Sequence, residues 1–289
     1  MSLTAHVATE YGTLQCVAMR YAGDVSRSID GPDIHPVLAR QQATSRWAPY
    51  IPAKVRAQQD ALIGVLRERG TQVVILADAP GCSTQHYPRD IGFVIDDVFF
   101  AARLNSAHRI PEVEALADLT AAMPNVAQLS TGTIEGGDVM LHDGCVLVGL
   151  SEETSPEGVD ALQAALALHR VDRDVVPIRF ATDGIVHLDD HFNIVSPGTA
   201  LIHRAAFPPD QFSWFGKRFD LIDVTDAEAL AVQVNVLAIA PGVVVAAQGS
   251  DRIAGELSAR GIEVITVDYS EVTRIPGSLR CTTLPLLRT

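Results

Sequence analysis

The sequence predicts an α/β protein made of about five similar units arranged radially, which is a repeat architecture. An apolar strand pair, an amphipathic helix and a further strand recur in this order about every 58 residues. The segments Leu66–Leu76 and Leu257–Val267 repeat one pattern of helix end, glycine and buried strand. Apolar strands are also predicted near both termini, where they would complete a fifth unit.

The strand pairs are recognised by apolar runs on either side of a short turn. The predicted pairs are Gly92–Ala102, Val139–Gly149 with a turn at residues 142–144, Phe192–His203 with a turn at 197–198, and Val234–Ala247 with a turn at 241–242. Single strands are predicted at Val73–Leu76, Val175–Phe180, Leu221–Val224 and Val264–Val267. Helices are predicted after Pro111 and Pro156, because apolar residues recur there at helical spacing and proline suits a first helical turn.

The two ends of the chain are predicted to pair with each other. The segment Cys281–Leu287 would lie beside Leu14–Arg20 and join the last unit to the first. An open sheet exposes unpaired N–H and C=O groups at its edges, and closure into a ring removes these edges. This is a physical reason for a circular arrangement.

The composition argues against several classes of function. The 289 residues carry a formal net charge of −13, with 22 dispersed Lys and Arg against 35 Asp and Glu, so no basic surface for nucleic acid is expected. No apolar run approaches the roughly twenty residues that cross a bilayer, and the first residues lack the pattern of a signal peptide. The four cysteines, Cys16, Cys82, Cys145 and Cys281, form no CxxC pair. A cytoplasmic protein with neither a zinc site nor a disulfide framework, and no contact with a membrane, is therefore predicted.

Polar residues cluster where the predicted units begin. These clusters are Pro88-Arg-Asp90 with Asp96, Glu135-Gly-Gly-Asp138, His187-Leu-Asp189 and Gly277-Ser-Leu-Arg-Cys281-Thr-Thr. Charged side chains are almost never buried without partners, yet each cluster adjoins an apolar strand. In a radial arrangement the strand starts converge on one face. A pocket with several carboxylates, one histidine and one cysteine is therefore predicted.

Such a pocket suits a guanidinium group, which is planar, cationic and rich in N–H donors that carboxylates accept in pairs. Its carbon is a poor electrophile, so a thiolate from Cys281 is the suitable nucleophile, and a bound cation would lower the pKa of this thiol. His187 would protonate the departing amine and then activate water, with Glu135 orienting the imidazole.

Each of these residues also has an ordinary structural explanation when taken alone. A single cysteine is commonly a small core residue, Asp90 suits a turn, and the glycines at 136 and 137 suit a tight turn or a bulge. His187 and His191 stand at the spacing of a helical metal pair, but the surrounding residues are strand-like and the glutamate of that motif is missing. The order of the clusters along the chain favours the catalytic interpretation over these alternatives.

The ordered motifs resemble those of the guanidino-group-modifying branch of the pentein superfamily, which includes arginine deiminase, dimethylarginine dimethylaminohydrolase, arginine dihydrolase and the amidinotransferases. The resemblance covers essentially the whole chain, and a compact dimethylargininase-like or dihydrolase-like member is favoured. It rests on Tyr87–Asp96 (YPRDIGFVID), Ile134–Asp138 (IEGGD), Val186–Asp189 (VHLD), the Asn235 segment and Pro276–Leu284 (PGSLRCTTL).

The resemblance implies a five-fold pseudosymmetric α/β-propeller of ββαβ-type units, with residues 1–289 forming a single catalytic domain. By this resemblance, Cys281 falls on the position of the nucleophile, His187 on that of the general acid and base, and Glu135 on that of the carboxylate between the guanidinium and the histidine. The implied substrate-binding or site-ordering residues are Asp90, Asp96, Asp138, Asp189 and, for a substrate carboxylate, Arg109. A small guanidino substrate and no cofactor are implied, and a homo-oligomer is compatible with the resemblance.

One position departs from the family pattern. In the segment Gly149–Thr154, Glu153 occupies the position at which relatives place an arginine that pairs with the substrate carboxylate. A glutamate there would repel a carboxylate, so either arginine is held differently in this protein, or the substrate carries a neutral or cationic group at that end. The leading prediction is a hydrolase that works through a covalent thiouronium on cysteine. The alternatives are an amidinotransferase, in which an acceptor amine replaces water, and a non-catalytic pentein that binds a partner.

Overall fold

The computed structural model describes residues 3–23 and 50–289. Within these residues the strands form five small sheets, four of three strands and one of four. In each sheet an antiparallel strand pair is followed by a helical connection and then by a strand parallel to the second member of the pair. This ββαβ unit, repeated five times, is the five-fold pseudosymmetric α/β-propeller that the sequence predicts.

The elements are numbered in chain order over the described residues. The strands are β1 His6–Val7, β2 Leu14–Met19, β3 Gln72–Ile75, β4 Gly92–Ile95, β5 Val98–Ala101, β6 Val126–Gln128, β7 Val139–His142, β8 Cys145–Gly149, β9 Asp174–Ile178, β10 Phe192–Ser196, β11 Thr199–Ile202, β12 Asp220–Asp223, β13 Leu237–Ala240, β14 Val243–Ala247, β15 Glu263–Val267 and β16 Leu284–Arg288. The helices are α1 Pro52–Glu68, α2 Ile110–Glu114, α3 Ala117–Ala121, α4 Pro156–Leu168, α5 Pro209–Gly216, α6 Asp226–Leu230 and α7 Asp251–Ala259.

The terminal strands close the ring, as the sequence predicts. Strand β16 pairs antiparallel with β2, and Leu284 lies opposite Ala18. Strand β3 extends this sheet parallel to β2, and the short strand β1 adds a fourth strand beside β16. The first and last residues of the fold therefore share one unit.

The helices pack apolar faces against neighbouring sheets. Helix α1 buries Val55, Leu62 and Leu66 in a cluster that includes Val17 and Met19 of β2. Each fully buried aliphatic side chain contributes about 1.5–3 kcal/mol to folding. A glycine with positive φ, Gly70, follows the end of this helix, and its lack of a Cβ makes this conformation inexpensive.

The helix predicted after Pro111 is two short helices in the structure. Its apolar residues Val113, Leu116, Leu119 and Met123 keep the expected spacing, but α2 ends at Glu114 and α3 begins at Ala117. At the junction Leu116 N donates to Val113 O, so the chain takes a tighter i to i−3 turn there. The segment after Pro111 is therefore helical, as predicted, but this turn divides it into two helices.

The first strands of the units begin at one common region. Short 3₁₀ turns at Gly136–Asp138 and Leu188–Asp190 lead directly into β7 and β10. Residues 84–90 precede β4 in the same way, and residues 277–283 precede β16. Among residues 3–23 and 50–289, no helix is both long enough and apolar enough to cross a bilayer.

Candidate active site

A pocket lies where these segments meet, and it brings together predicted residues from four units. Asp90, Glu135, His187 and Cys281 all face it, and each of these residues is at most 4% exposed. The full lining is Thr84, Tyr87, Asp90, Ser106, Arg109, Glu135, Glu153, Val186, His187, Asp190, Ile275, Pro276 and Cys281.

Two glycines allow the segments to approach this closely. A Cβ on Gly137 would lie 2.5 Å from His187 Cγ, and one on Gly136 would lie 2.1 Å from Arg89 O. Neither distance is tolerable for a carbon atom, so only glycine permits Glu135 and His187 to lie side by side. The Gly-Gly pair is thus required by the packing of the site.

His187 is held between two carboxylates. Its Nε2 lies 3.1 Å from Glu135 Oε2, and its Nδ1 lies 3.7 Å from Asp90 Oδ1. Burial disfavours the charged imidazole, but the charge of Asp90 and the hydrogen bond to Glu135 outweigh it and raise the pKa of His187 well above its ordinary value. The two carboxylates therefore favour the imidazolium form of His187, which can donate a proton.

Cys281 is positioned by an asparagine. Asn235 Nδ2 lies 3.1 Å from Cys281 Sγ, and Asn235 Oδ1 accepts from the backbone N–H groups of Arg280 and Cys281 at 2.9 and 3.2 Å. Burial raises the pKa of Cys281 well above its ordinary value, and the charges of Asp189, Asp190 and Asp90 raise it further. The protein's own groups thus favour a neutral thiol, and added positive charge in the pocket would favour the thiolate.

Asp138 and Asp189 stabilise the segments around the site but do not line the pocket. Asp138 Oδ2 accepts from the hydroxyls of Ser151 and Thr154 at 2.6 Å, and its Oδ1 accepts from Leu188 N at 2.9 Å. Burial raises the pKa of Asp138 to about 7. This carboxyl group therefore fixes the backbone directly after His187.

Asp189 is fully buried beside the nucleophile. Its Oδ2 accepts from Arg280 Nη1 at 2.6 Å and lies 3.9 Å from Cys281 Sγ. Arg280 also donates to Glu10 Oε2 at 3.2 Å and to Val139 O at 2.8 Å. A buried ion pair of this kind holds the segment around Cys281 in place.

Arg109 lines the pocket, but acceptors of the protein itself engage its guanidinium. Its Nη1 donates to Asp90 Oδ2 at 2.9 Å and lies 3.5 Å from Glu135 Oε2. Its Nε and Nη2 donate to the two carboxylate oxygens of Glu112 at 3.1 and 2.8 Å, and Nη2 also contacts Tyr87 O at 3.5 Å. The structure therefore places Arg109 as a bridge between carboxylates, whereas the resemblance implied a contact with a substrate carboxylate.

A protein-family model described as N,N dimethylarginine dimethylhydrolase, eukaryotic, matches residues 39–288 of the chain. The chain belongs to this dimethylarginine dimethylhydrolase family. The family lies within the guanidino-modifying pentein superfamily, so the motif-based prediction is confirmed.

Relatives match over most of the chain. The uncharacterized protein YkgA of Bacillus subtilis is 31% identical over an alignment of 291 positions, which covers 97% of this chain and 94% of that protein. An N(G),N(G)-dimethylarginine dimethylaminohydrolase of Mycobacterium tuberculosis is 27% identical over 243 residues, 83% of this chain and 78% of that protein. The structure of SxtG, an amidinotransferase from Microseira wollei in the saxitoxin biosynthetic pathway, has a TM-score of 0.81 at 16% identity and covers 98% of this chain and 97% of that one. This last similarity shows a shared fold.

Asp96, which the resemblance also implies for the site, lies at a distance from the pocket. Asp96 follows the far end of β4, on the order of 13 Å along the strand from the residues that begin it. Its two carboxylate oxygens accept from Arg173 Nη2 and Nε at 2.6 and 2.8 Å. The structure does not bring Asp96 together with Cys281 and His187.

The family motifs led to neither Glu112 nor Asp190. Glu112 stands three residues after Arg109, and this spacing is a signal for an ion pair on a helical turn. Asp190 directly follows Asp189, and the sequence carries no signal for which of the two adjacent carboxylates faces the pocket. Backbone geometry decides it.

Two groups of side chains within the described residues have atoms close enough to hold a metal ion. Asp90, Glu135 and His187 form one, and Asp189, Asp190 and Cys281 form the other, each with potential ligand atoms within 4.8 Å. His191, the other member of the alternative His187–His191 metal pair, belongs to neither group, and its Nδ1 contacts His203 Nδ1 at 2.9 Å. Metal independence remains a prediction.

Proposed function

We propose that the protein is a hydrolase acting on the guanidinium carbon of a small guanidino compound, with Cys281 as nucleophile and His187 as proton donor. The observation that carries this proposal is that one pocket holds a buried thiol, Cys281, and a histidine, His187, that lies between two carboxylates. Residues 1–289 would act as one catalytic domain. The family membership supports this reaction class.

The unsatisfied oxygens in the pocket favour a cation with several N–H donors. Asp90 Oδ1 and Glu135 Oε1 are buried and have no hydrogen-bond donor among the described residues. A buried acceptor without a donor costs about 1–3 kcal/mol, and a guanidinium supplies the missing donors. The same positive charge offsets the carboxylates that raise the pKa of Cys281. Substrate binding would therefore generate the nucleophile.

In the proposed first step Cys281 loses its thiol proton to solvent as the cation binds, and the thiolate Sγ forms a C–S bond with the guanidinium carbon. Cys281 regains this proton when the product leaves. His187 gives its extra proton to one nitrogen, the C–N bond to that nitrogen breaks, and an amine or ammonia leaves. The carbon remains on sulfur as a thiouronium.

In the second step neutral His187 takes a proton from water, and the oxygen attacks the thiouronium carbon. The C–S bond then breaks, a ureido product leaves, and the remaining proton is taken up by the departed amine. The balance is one guanidinium and one water giving one urea-type product and one ammonium.

An amidinotransferase is the second candidate, because the first step is shared and the fold is that of a known amidinotransferase. Release of ammonia or methylamine from guanidino compounds, measured with and without an acceptor amine, separates the two. Release without acceptor supports the hydrolase, whereas turnover only with acceptor supports the transferase.

Intact-protein mass spectrometry then tests the nucleophile. A covalent adduct is expected on Cys281 and is expected to be absent from Cys281→Ala. Cys145→Ser is the matched control, because Cys145 lies in β8 outside the pocket lining. Absence of both turnover and adduct with any guanidino compound would favour a binding protein.

A further inference from the structure

Asn235, which positions the nucleophile, lies in an unusual backbone turn at residues 232–236, directly before β13. Val232 has a positive φ of 50°, a conformation that a β-branched side chain strongly disfavours. Val236 N donates to Val234 O at 2.8 Å, which makes a γ-turn with Asn235 at its centre. The backbone that carries Asn235 is therefore held in a conformation that these residues do not favour by themselves.

A side chain from the neighbouring sheet holds this turn. Asn193 lies in β10 and is buried. Its Nδ2 donates to Val234 O at 2.9 Å and to Val236 O at 2.8 Å. The side chains of Val234 and Val236 are also buried, in an apolar cluster that includes Val195 of β10. The amide of Asn193 thus fixes the carbonyl groups of the residues on both sides of Asn235.

The amide of Asn235 engages the segment that carries the nucleophile. Its Nδ2 donates to Cys281 Sγ at 3.1 Å and to Asp189 O at 3.3 Å. Its Oδ1 accepts from the backbone N–H groups of Arg280 and Cys281. An N–H donor stabilises a thiolate more than a thiol, because hydrogen bonds to charged acceptors are the stronger ones. The orientation of this amide therefore affects how readily Cys281 ionises.

We propose that Asn193 is a positioning residue for the nucleophile, because it holds the 232–236 turn so that Asn235 Nδ2 donates to Cys281 Sγ. This inference rests on the proposed function, in which Cys281 is the nucleophile. Asn193 does not line the pocket and acts through Asn235. The strand that carries Asn193 directly follows the turn after His187, so one element places both the proton donor and, through Asn235, the nucleophile.

The strain at Val232 explains why this turn needs a holding contact. A strained backbone persists only where the surrounding contacts over-determine it. Loss of the two hydrogen bonds from Asn193 removes donors from two buried carbonyl groups and lets Val232 relax to an ordinary φ. Because Asn235 N donates to Val232 O at 3.2 Å, this relaxation displaces Asn235. The contact between Asn235 Nδ2 and Cys281 Sγ is then lost, and the thiol becomes harder to ionise.

The test measures how fast iodoacetamide alkylates Cys281 at about pH 8, below the pKa of an ordinary thiol, with peptide mass spectrometry as the readout. Burial and nearby carboxylates raise the pKa of Cys281 well above its ordinary value, so the rate is proportional to the small fraction of thiolate. In Asn193→Leu, which keeps nearly the shape of asparagine but has no N–H donor, this rate is expected to fall roughly tenfold. Asn235→Ala is expected to lower it at least as much.

A double variant separates a positioning role from an independent one. If Asn193 acts through Asn235, the variant with both Asn193→Leu and Asn235→Ala reacts at the same rate as Asn235→Ala alone. Effects that multiply would overturn the inference. So would an unchanged or faster rate in Asn193→Leu, since mere loosening of the fold exposes the thiol. Asn125→Leu changes an exposed asparagine and is the matched control, with no change in rate expected.

Asn193→Ser keeps one hydroxyl donor, so its rate should lie between those of Asn193→Leu and the unsubstituted protein, and it replaces Asn193→Leu in the cycle if that variant does not fold. In the turnover assay Asn193→Leu should lower kcat with little change in KM, because Asn193 lies outside the pocket lining. Alkylation needs no substrate, so the two failures are distinct. Absence of turnover of any guanidino compound by the unsubstituted protein removes the proposed function, whereas alkylation effects that multiply remove only the role of Asn193.

Discussion

Removal of the charge of Arg109 is expected to lower turnover equally for guanidino substrates with and without a carboxylate. All the nitrogens of its guanidinium already contact Glu112, Asp90, Glu135 or the carbonyl of Tyr87. Arg109 thus acts on the substrate only through the two carboxylates that flank His187. It is a positioning residue in this view.

The distances give the size of the effect. At 2.9 Å from Asp90 and 3.5 Å from Glu135, each attraction is roughly 5 kcal/mol at an effective dielectric constant near 20, before desolvation reduces it. Breaking a buried ion pair costs about 3–5 kcal/mol in measured cases. Part of this loss lowers the free energy of unfolding, and part is expected to appear as a roughly hundredfold loss of kcat/KM in Arg109→Gln.

The assay uses arginine and agmatine, which differ only in the carboxylate. Arg109→Gln should lower kcat/KM for both compounds by the same factor. Burial raises the pKa of Asp90, and the positive charge of Arg109 partly lowers it. Loss of this charge in Arg109→Gln therefore raises the pKa of Asp90 further. Because activity requires the ionised carboxylate and disappears as pH falls through its pKa, the acid limb of the pH profile should move to higher pH.

Arg109→Lys keeps a positive charge and should retain part of the activity. Arg67→Gln is the control, because Arg67 is exposed on α1. A loss confined to arginine, with agmatine unaffected and the acid limb unmoved, would show that Arg109 binds the substrate carboxylate and would refute the reasoning.

Four further predictions concern the same pocket. Cys281→Ser should lose nearly all turnover while its Tm stays close to that of the unsubstituted protein, because a hydroxyl ionises far less readily than a thiol; comparable activity would remove the nucleophile assignment. His187→Ala should lower turnover about a hundredfold or more and accumulate the Cys281 adduct. In the unsubstituted protein, turnover should fall as pH rises through the raised pKa of His187, since only the imidazolium donates a proton. Activity should survive exhaustive chelation with EDTA; loss on chelation and recovery with zinc would require the carboxylate, His187 and Cys281 groups to be reinterpreted as ligands. Agmatine should be a better substrate than arginine, because Glu153 lines the pocket and repels a substrate carboxylate. Glu153→Gln should reduce the difference in kcat/KM between the two compounds several-fold. An unchanged ratio would show that Glu153 does not affect substrate choice.

Most of the fold could be predicted from the sequence, because strand pairs and helices follow from the spacing of apolar residues that are close in the chain. All four predicted strand pairs are present, and β16 closes the ring against β2. The meeting of Cys281, His187, Glu135 and Asp90 in one pocket also followed from sequence, since each begins a repeat unit and the units converge. Their catalytic roles remain predictions.

The residue types that begin each unit are evident in the sequence, but the partner that each charged side chain takes is not. Arg280 and Asp189 are 91 positions apart, and Arg173 and Asp96 are 77 apart, so their pairing depends on how separate units approach one another. The tertiary structure alone paired Asp96 with Arg173, engaged Arg109 with Glu112, and turned Asp190 toward Cys281. The physical reason is that hydrophobic periodicity depends only on residues that are close in the sequence. A buried charge, in contrast, pairs with whichever opposite charge the completed packing brings within reach.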